Sequence, residues 1–350
     1  MINKGVIGIC LAIALSMFTG CSNVSNITEE ETTTETASVS ESTMQESSEQ
    51  TETAIDGGTG KGAGNGMNVG GGTAENSEEV QAVLDENSSK FQQFTFTDES
   101  AGVSFEYSLY IPEGYDETQS YPLLLFIPDS TGTGKTAQEL VEQYYGATVW
   151  VKAEEQEKHA SFVLVPAYTK TAASDDATVS DEVKATVALL EQLQETYSID
   201  ANRLYTTGQS GGCMCSFYFN ATYPDLFAAS LYVSGQWDVS VLSVLEKQNF
   251  FYITAGGDEK ASSGQAEVMA MFDSDGVSYS YGTWNAQNSS EEQDGAVKEL
   301  LSEELSANMI LFETGTVFEE GQSGMEHMYS FNYGYNITAV RDWLFEQRKA

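Results

Sequence analysis

Apolar runs of strand length alternate with segments of helical periodicity over residues 91–350, and this alternation constrains the fold more than any other feature of the chain. Continuous apolar runs are typical of strands that are buried on both faces, as in a parallel sheet. The first two runs, FQQFTFTDES and VSFEYSLYIP, alternate apolar and polar residues instead, which favours antiparallel strands at a sheet edge. The pattern therefore predicts one doubly wound α/β domain with a mostly parallel sheet, helices on both faces and an active site at the carboxyl ends of the strands.

The later elements follow one another in regular order. The strand-like segments are YPLLLFIP, SFVLVPAY, RLYTTG, FAASLYVSG, NFFYITAGG and NMILFETG. The helix-like segments are TAQELVEQYYG, SDEVKATVALLEQLQETY, GGCMCSFYFNATY, SSGQAEVMAMF, AVKELLSEEL and NITAVRDWLFEQ. These elements use up residues 91–350, so we expect one domain without a large lid or propeller.

Residues 1–20 have the layout of a secretory signal peptide. Lys4 precedes an apolar run, residues 6–18, that is too short to span a bilayer comfortably, and FTGC closes the run at Cys21. This tetrapeptide resembles the lipobox of bacterial lipoproteins, with Phe18 in place of the usual Leu. The resemblance implies cleavage before Cys21, lipid on its sulfur, and a protein held on the outer face of a bacterial cytoplasmic membrane. An ordinary signal peptide with a chance cysteine is the alternative.

Residues 21–90 consist mostly of Ser, Thr, Glu and Gly and contain no aromatic residue. Such a segment cannot bury enough apolar surface to offset its ordering entropy, so we expect a disordered tether. The net charge of the whole protein is −38. Because nucleic acids and anionic membrane surfaces are polyanions, neither is expected as a partner, and membrane contact is expected through the lipid alone.

The letters GKT at residues 134–136 resemble the end of a nucleotide-binding loop, GxxxxGK[ST]. Counting back, the position of the first Gly holds Asp129. A carboxylate and a Cβ would then stand where bare backbone must wrap an anionic phosphate. The segment FIPDSTGTG is therefore expected to be a tight turn with another role.

A candidate for chemistry lies at residues 208–212, where GQSGG separates the predicted strand RLYTT from a predicted helix. This matches GxSxG, the nucleophile elbow, in which small neighbours let the backbone pass closely and the Ser hydroxyl project. The N-terminus of the following helix favours negative charge that develops on an attacked carbonyl. Ser210 is thus the predicted nucleophile.

A serine hydroxyl needs a base to accept its proton, and the chain has only two histidines. His159 lies upstream of the elbow, where a surface or capping role is expected. His327 follows the last predicted strand, in a segment predicted to be a loop before the final helix. In the order Ser, acid, His that hydrolases of this kind use, only His327 can be the base.

The acid should follow a strand that lies between the serine and the histidine. Asp258 comes directly after NFFYITAGG, so its turn is expected to present the carboxylate at the same sheet edge as the elbow. Glu259 and Asp238 are the alternatives.

The turn FIPDSTGTG follows the third predicted strand, which is where an α/β-hydrolase fold provides one of its oxyanion-hole N–H groups. The backbone N–H of Ser130 or Asp129, together with that of Gly211, is expected to hold the oxyanion. Cys213 and Cys215 lie two residues apart on a predicted helix, point to different faces and are expected to be small buried residues rather than a disulfide. No cofactor or metal is expected.

Residues 94–347 resemble the secreted α/β-hydrolase esterases of the polyhydroxybutyrate-depolymerase-like and feruloyl-esterase-like group, a kind of prolyl-oligopeptidase-like serine hydrolase. The resemblance is carried by YSLYIPEGYDETQSYPLLLFIPD, KHASFVLVPAY, YSIDANRLYTTGQSGG, YPDLFAASLYVSG and AVRDWLFEQ. It implies Ser210 as nucleophile, Asp258 as acid and His327 as base. The implied reaction is hydrolysis of a small-molecule or polysaccharide-linked ester through an acyl-enzyme.

Two positions depart from that family pattern. Pro-Asp at residues 128–129 replaces the usual His-Gly, which leaves the second oxyanion donor open, and Gly211 stands where Met is common. A serine peptidase with the same triad, and a catalytically silent hydrolase fold that binds a ligand, are the alternative functions. Trp237 and Trp284, near predicted strand ends, are either packing residues or a platform for substrate rings.

Overall fold

The computed structural model describes residues 76–349. The predicted signal peptide, Cys21 and most of the predicted tether lie outside these residues. No helix in the described part of the chain is both long and apolar enough to cross a membrane.

The domain is built around a nine-stranded sheet with the order β1-β2-β4-β3-β7-β8-β9-β11-β10, while β5 and β6 pair only with each other. In chain order the strands are β1 (Gln92–Asp98), β2 (Val103–Tyr110), β3 (Tyr121–Ile127), β4 (Phe162–Ala167), β5 (Ala173–Ser174), β6 (Thr178–Val179), β7 (Ile199–Gln209), β8 (Ala229–Val233), β9 (Phe250–Ala255), β10 (Ser280–Trp284) and β11 (Ala307–Phe312). Strand β2 is antiparallel to both β1 and β4, and all other neighbours in the large sheet are parallel. The predicted mostly parallel sheet with an antiparallel edge is confirmed.

Helices connect the strands and cover both faces of the sheet. They are α1 (Glu78–Asn87), α2 (Ala137–Gln143), α3 (Tyr145–Thr148), α4 (Ala153–Lys158), α5 (Asp181–Thr196), α6 (Gly211–Thr222), α7 (Glu259–Asp275), α8 (Ser290–Leu301), α9 (Glu326–Tyr335) and α10 (Thr338–Glu346). Parallel strands need such crossovers, because a short hairpin can only join antiparallel neighbours.

Successive side chains of the central strands enter two different apolar cores, one on each face of the sheet. In β3, Leu124 and Phe126 belong to the core that α1, α9 and α10 cover. Leu123, Leu125 and Ile127 belong to the core beneath α5, α6 and α7. All five side chains are fully buried. A strand that is buried on both faces reads as an unbroken apolar run, which is why YPLLLFIP shows no alternation.

The predicted boundary between tether and domain, at residue 90, is wrong. Helix α1 begins after Ser77, whose side chain accepts a hydrogen bond from the N–H of Val80. One face of the helix buries Val83, Leu84 and Asn87, and Val83 joins the core that α9 and α10 cover. An amphipathic helix needs only a few apolar residues one turn apart. So few apolar residues do not change the average composition of residues 21–90, on which the prediction was based.

Strand β10 and helix α9 are among the other elements that differ from the prediction. Strand β10 forms the far edge of the sheet, but SYGTW is short and contains a Gly, so its sequence carries little strand signal. Helix α9 was not predicted, and His327 is its second residue rather than part of a loop. The segment is rich in aromatic residues and contains a Gly, all weak helix formers. It is helical because Phe331 and Tyr335 are buried in the core.

The turn that ends in GKT leads into the first turn of helix α2. Thr136 is the N-cap of α2: its hydroxyl accepts from the N–H of Glu139, and the Glu139 carboxylate accepts from the N–H of Thr136. Lys135 Nζ donates to the side chain of Gln143 in the same helix. The match to a nucleotide-binding loop is therefore a capping box beside a surface lysine.

Candidate active site

Ser210 lies on a sharp turn between β7 and α6. Its backbone has φ +52° and ψ −118°, a conformation that costs a residue with a Cβ about 1–3 kcal/mol. The Ser210 N–H donates to the carbonyl of Val233, at the end of the neighbouring strand β8, and its carbonyl accepts from the N–H of Met214, so β8 and α6 hold the turn. The strained turn is the geometry that the GxSxG pattern predicts.

The glycines around Ser210 are required by close backbone approach. A Cβ on Gly208 would lie 2.4 Å from the carbonyl carbon of Gly212. A Cβ on Gly212 would lie 2.0 Å from the carbonyl oxygen of Ile127, at the end of β3. Both distances are shorter than any non-bonded contact allows, so α6 can start this close to β3 and β7 only with Gly at these positions.

Three predicted site residues form one chain of hydrogen bonds. Ser210 Oγ lies 2.8 Å from His327 Nε2, and His327 Nδ1 lies 2.6 Å from Asp258 Oδ2. Since an ionised carboxylate can only accept, Nδ1 carries the proton of a neutral imidazole, and Nε2 accepts from the serine hydroxyl. In this geometry the imidazole can take the proton of Ser210 while the carboxylate stabilises the charge that results.

Asp258 has two tasks in the structure. It follows β9 through the turn at Gly256 and Gly257, and it is the N-cap of α7, where its Oδ1 accepts from the N–H of Ala261 at 3.3 Å. Its other carboxylate oxygen accepts from His327. The side chain is 5% exposed, so little water competes for the bond to the imidazole.

The imidazole of His327 is partly buried. Its side chain is 30% exposed, and its ring meets the ring of Phe331 edge to face, with centroids 5.0 Å apart. The first turn of α9 thus carries His327 to the carboxyl edge of the sheet, where β7 ends in the elbow and β9 ends before Asp258. The ring thus packs against α9 and is still partly exposed to solvent.

The alternative acids and base lie elsewhere. The Asp238 side chain accepts from the N–H of Ser240 and starts a short 3₁₀ turn, and Glu259 is exposed. His159 ends α4, with Nε2 at 2.9 Å from an oxygen of Asp342. None of these residues contacts the Ser210–His327 pair.

The residues predicted to form the oxyanion hole lie side by side. Gly211 is the first residue of α6, and Ser130 is the first residue of a 3₁₀ turn (Ser130–Gly132) after β3, so neither N–H has an intrahelical partner. A Cβ on Gly211 would lie 2.6 Å from Ser130 Oγ and 3.4 Å from Ser130 N. The Ser130 side chain thus occupies the space that a larger residue at position 211 would need, which accounts for Gly where Met is common in the resembling esterases.

Asp129 anchors the loop that carries Ser130, a role that the sequence did not indicate. The residue is 5% exposed. One carboxylate oxygen accepts from the N–H of Thr131 at 2.8 Å and from the hydroxyl of Tyr144 at 3.1 Å. The second oxygen accepts from Gln209 Nε2 at 2.9 Å. Burial and the Asp129 charge raise the pKa of Tyr144 far above its usual value, which keeps this phenol a donor. Because Gln209 directly precedes Ser210, Asp129 ties the candidate oxyanion loop to the elbow.

Glu326 is a second residue at the site that the sequence did not indicate. Its carboxylate accepts from the N–H of Gly257 at 2.8 Å and from the N–H of Gly315 at 2.7 Å. Both partners are distant in the chain, so neither spacing nor periodicity marks the contact. The only local signal is the position of Glu326 next to His327.

The cysteines and tryptophans singled out in the sequence have packing roles. Cys213 and Cys215 are free and fully buried, and burial raises the pKa of both thiols well above the usual value, so they stay protonated. Trp237 and Trp284 are each 8% exposed and belong to the two cores. Neither indole presents a ring platform to solvent.

Comparison with known proteins finds similarity in structure alone. No protein-family model matches the chain, and no curated protein matches it. A solved structure described as a thermostable esterase superimposes with a TM-score of 0.60 at 22% sequence identity, over 76% of this chain and 64% of that one. The chain thus spans less than two thirds of that protein. A feruloyl esterase module from Clostridium thermocellum, solved in complex with sinapinate, gives a TM-score of 0.50 at 12% identity, over 78% of this chain and 93% of the module.

Likeness at these identities concerns the fold. The sheet has one antiparallel strand, β2, among strands that otherwise run in one direction, and helices lie on both faces. A serine at a strained strand-to-helix turn follows its central strand β7. Together with the two solved structures, this topology shows that the described chain has the α/β-hydrolase fold.

Proposed function

We propose that this protein is a serine hydrolase that cleaves carboxylic esters through an acyl-enzyme intermediate. The observation that carries the proposal is the chain of hydrogen bonds from Ser210 through His327 to Asp258, with lengths of 2.8 and 2.6 Å. Two solved structures of the same fold are described as an esterase and a feruloyl esterase, which supports an ester as the substrate.

The first half of the reaction transfers the acyl group to the enzyme. His327 Nε2 accepts the proton of Ser210 as the serine oxygen bonds to the ester carbonyl carbon. The carbonyl oxygen gains the negative charge and is stabilised by the N–H groups of Gly211 and Ser130. When the tetrahedral intermediate collapses, the bond to the alcohol breaks and His327 returns the proton to the departing oxygen.

The second half releases the acid. Water gives a proton to His327 and attacks the acyl-enzyme carbonyl, and the same two N–H groups hold the second oxyanion. The intermediate then expels Ser210, which regains its proton from His327. Asp258 stays ionised throughout and stabilises the imidazolium form of His327 in both halves.

A fluorophosphonate probe tests the nucleophile. We expect one equivalent of probe to attach to Ser210, because the probe needs an activated serine, and none to attach to the Ser210→Ala variant. Mass spectrometry of the labelled peptide checks the site. A folded wild-type protein that takes up no probe would contradict the proposal and favour a silent fold that binds a ligand.

Substrate panels then separate the two hydrolytic functions. We expect turnover of p-nitrophenyl esters of short acids and of small aromatic or polysaccharide-linked esters, and no release of peptide products from a matched peptide panel. Peptide cleavage without ester cleavage would instead identify a serine peptidase. Ser210→Ala serves as the blank in both panels, since it keeps the fold but lacks the attacking oxygen.

We also propose that the enzyme is anchored outside the cell by lipid on Cys21. The FTGC tetrapeptide after a short apolar run supports this proposal. Cys21→Ser should move the protein from the membrane fraction to the medium or leave the signal uncut, which fractionation and mass spectrometry of the N-terminus would detect. A variant that stays membrane-bound and normally processed would rule out the lipid anchor.

A further inference from the structure

The carboxylate of Glu326 is buried beside the proposed triad and has backbone partners on two different loops. The residue is 7% exposed. One oxygen accepts from the N–H of Gly257, in the turn after β9, at 2.8 Å, and the other accepts from the N–H of Gly315, in the loop after β11, at 2.7 Å. One side chain from the first turn of α9 thus connects three segments of the chain.

No Lys, Arg or His side chain in the described part of the chain forms an ion pair with Glu326. A buried carboxylate is costly unless it is well hydrogen-bonded. Here the two N–H groups and the N-terminal end of α9 provide the stabilisation. The position of the carboxylate therefore depends on both loops, and the position of each loop depends on its hydrogen bond to the carboxylate.

The fit between Glu326 and Gly257 leaves no spare room. A Cβ on Gly257 would lie 2.1 Å from Glu326 Oε1, and the three atoms nearest to it all belong to the Glu326 carboxyl group. The Gly257 backbone is not in the left-handed region, so the need for Gly there comes from this contact rather than from φ. The Gly-Gly turn before Asp258 is thus shaped to receive a side chain from α9.

We infer that Glu326 is a positioning residue for the proposed ester hydrolysis. It adjoins His327 in the chain, and its partner Gly257 adjoins Asp258, so a single carboxylate fixes the backbone one residue away from each end of the 2.6 Å Asp258–His327 bond. The inference rests on the proposed function. Glu326 itself does not touch the serine or the substrate.

Substitution of Glu326 should lower kcat rather than raise KM. Glu326→Gln keeps the size of the side chain and one acceptor, but its amide NH₂ faces an N–H, so one loop is released. Glu326→Ala releases both. Misplacement of reacting groups by about 1 Å costs roughly 10²-fold, so we expect kcat to fall by about 10-fold for Gln and about 10²-fold for Ala, with KM within about 2-fold. Rates are compared per folded molecule.

Glu155→Gln provides a matched control. Glu155 is also a buried acid in the first turn of a helix, but α4 leads into the amino end of β4, on the opposite edge of the sheet from the triad. We expect this variant to lose stability and to keep the kcat of its folded fraction. If the kcat values of Glu326→Gln and Glu326→Ala both stay within about 3-fold of wild type, the positioning role is wrong.

A double-mutant cycle separates positioning from a general loss of packing. Gly257→Ala should by itself displace the Glu326 carboxylate and lower kcat about as much as Glu326→Ala does. In the Glu326→Ala background the three atoms nearest to the added Cβ are gone, so Gly257→Ala should cause little further loss. Additive losses would contradict the inference. If Glu326→Ala does not fold, the kcat values of Glu326→Gln and of Gly257→Ala still decide the question.

A readout independent of turnover keeps this inference distinct from the proposed function. The proton on His327 Nδ1 should give a low-field ¹H NMR signal in the wild type that is absent from Asp258→Asn, and it should weaken or shift in Glu326→Ala but not in Glu155→Gln. If the wild type cleaves no ester while this pattern holds, the function is wrong and the positioning role stands. If the wild type cleaves esters and neither kcat nor the signal changes, the positioning role is wrong and the function stands.

Discussion

We expect Asp258→Asn to lower kcat for the proposed ester hydrolysis by about 10²–10⁴-fold and to leave the protein folded. The bond between Asp258 Oδ2 and His327 Nδ1 is 2.6 Å long, and the carboxylate is 5% exposed. An amide in its place carries no charge to stabilise the imidazolium, and its NH₂ group can reverse the donor and acceptor roles at Nδ1. His327 then faces Ser210 with a protonated Nε2, which cannot accept the serine proton. The variant therefore loses rate in the chemical step.

The fold should survive this change because of the other task of Asp258. Its Oδ1 caps α7 by accepting from the N–H of Ala261, and Asn is as good an N-cap as Asp. Chemical denaturation should therefore show a free energy of unfolding close to that of the wild type. Asp258→Ala would add the loss of the cap, about 1 kcal/mol, and so confuse the two effects.

Two control variants test whether the effect belongs to this carboxylate. Glu259→Gln changes an exposed acid next to Asp258, and Asp238→Asn changes the acid that begins a 3₁₀ turn after β8. Both should keep kcat within a few-fold of the wild type, because neither side chain contacts His327. Loss of turnover in Asp238→Asn, with activity retained in Asp258→Asn, would move the acid to the preceding strand and contradict the assignment.

Arg341→Met should lower the free energy of unfolding by about 3–5 kcal/mol. Arg341 and Glu155 form an ion pair of 2.8 Å in which each side chain is 3% exposed. Arg341 also donates to the carbonyl of Tyr335 and to the hydroxyl of Thr338, which joins α9 to α10. Removal of the guanidinium leaves the Glu155 carboxylate buried without a cation, and this desolvated charge dominates the cost.

The double variant separates the cost of an unpaired charge from the value of the pair. Glu155 Oε2 and Arg341 Nε have no hydrogen-bond partner within the described residues, so the pair does not satisfy all its polar atoms. Glu155→Leu combined with Arg341→Met should therefore recover most of the stability lost in Arg341→Met, as apolar replacements of buried pairs often do. Equilibrium unfolding in urea gives the free energy of unfolding of the wild type, of Arg341→Met and of the double variant.

An exposed pair provides the reference for this prediction. Lys184 and Asp181 are 2.9 Å apart on α5, with side chains 52% and 66% exposed. Lys184→Met should change the free energy of unfolding only slightly, because water screens the pair. If Arg341→Met costs no more than Lys184→Met, burial of the Glu155–Arg341 pair does not stabilise the junction of α4 with α10.

Much of the fold followed from local patterns. Unbroken apolar runs such as that of β3 predicted a parallel sheet because each side chain there is buried, whichever face it points to. The alternating runs predicted β1 and β2 at an antiparallel edge. Strand β10 and helix α9 were missed because their residues have weak intrinsic preferences, and only packing on the sheet or in the core holds them.

Some residues of the candidate site could also be predicted from local patterns, and others could not. Ser210 could be found because the strained turn demands glycines at fixed offsets, and the histidine could be found because the chain offers only two. Asp258 could be proposed because acids after parallel strands meet at one edge. Glu326 and Asp129 could not be found, because each acts through a contact with a loop that is remote in the chain.

The sequence by itself determined the alternation of strands and helices, the elbow and the order of Ser, acid and His, since all of these follow from the spacing of residues near one another. Only the tertiary structure decided where the domain begins, since α1 folds by burying Val83 and Leu84 against other elements. It also decided that the loops after β9 and β11 both donate hydrogen bonds to the carboxylate of Glu326. Such contacts join groups 69 or 11 residues apart, and the crossovers of the sheet, rather than any local period, bring those groups together.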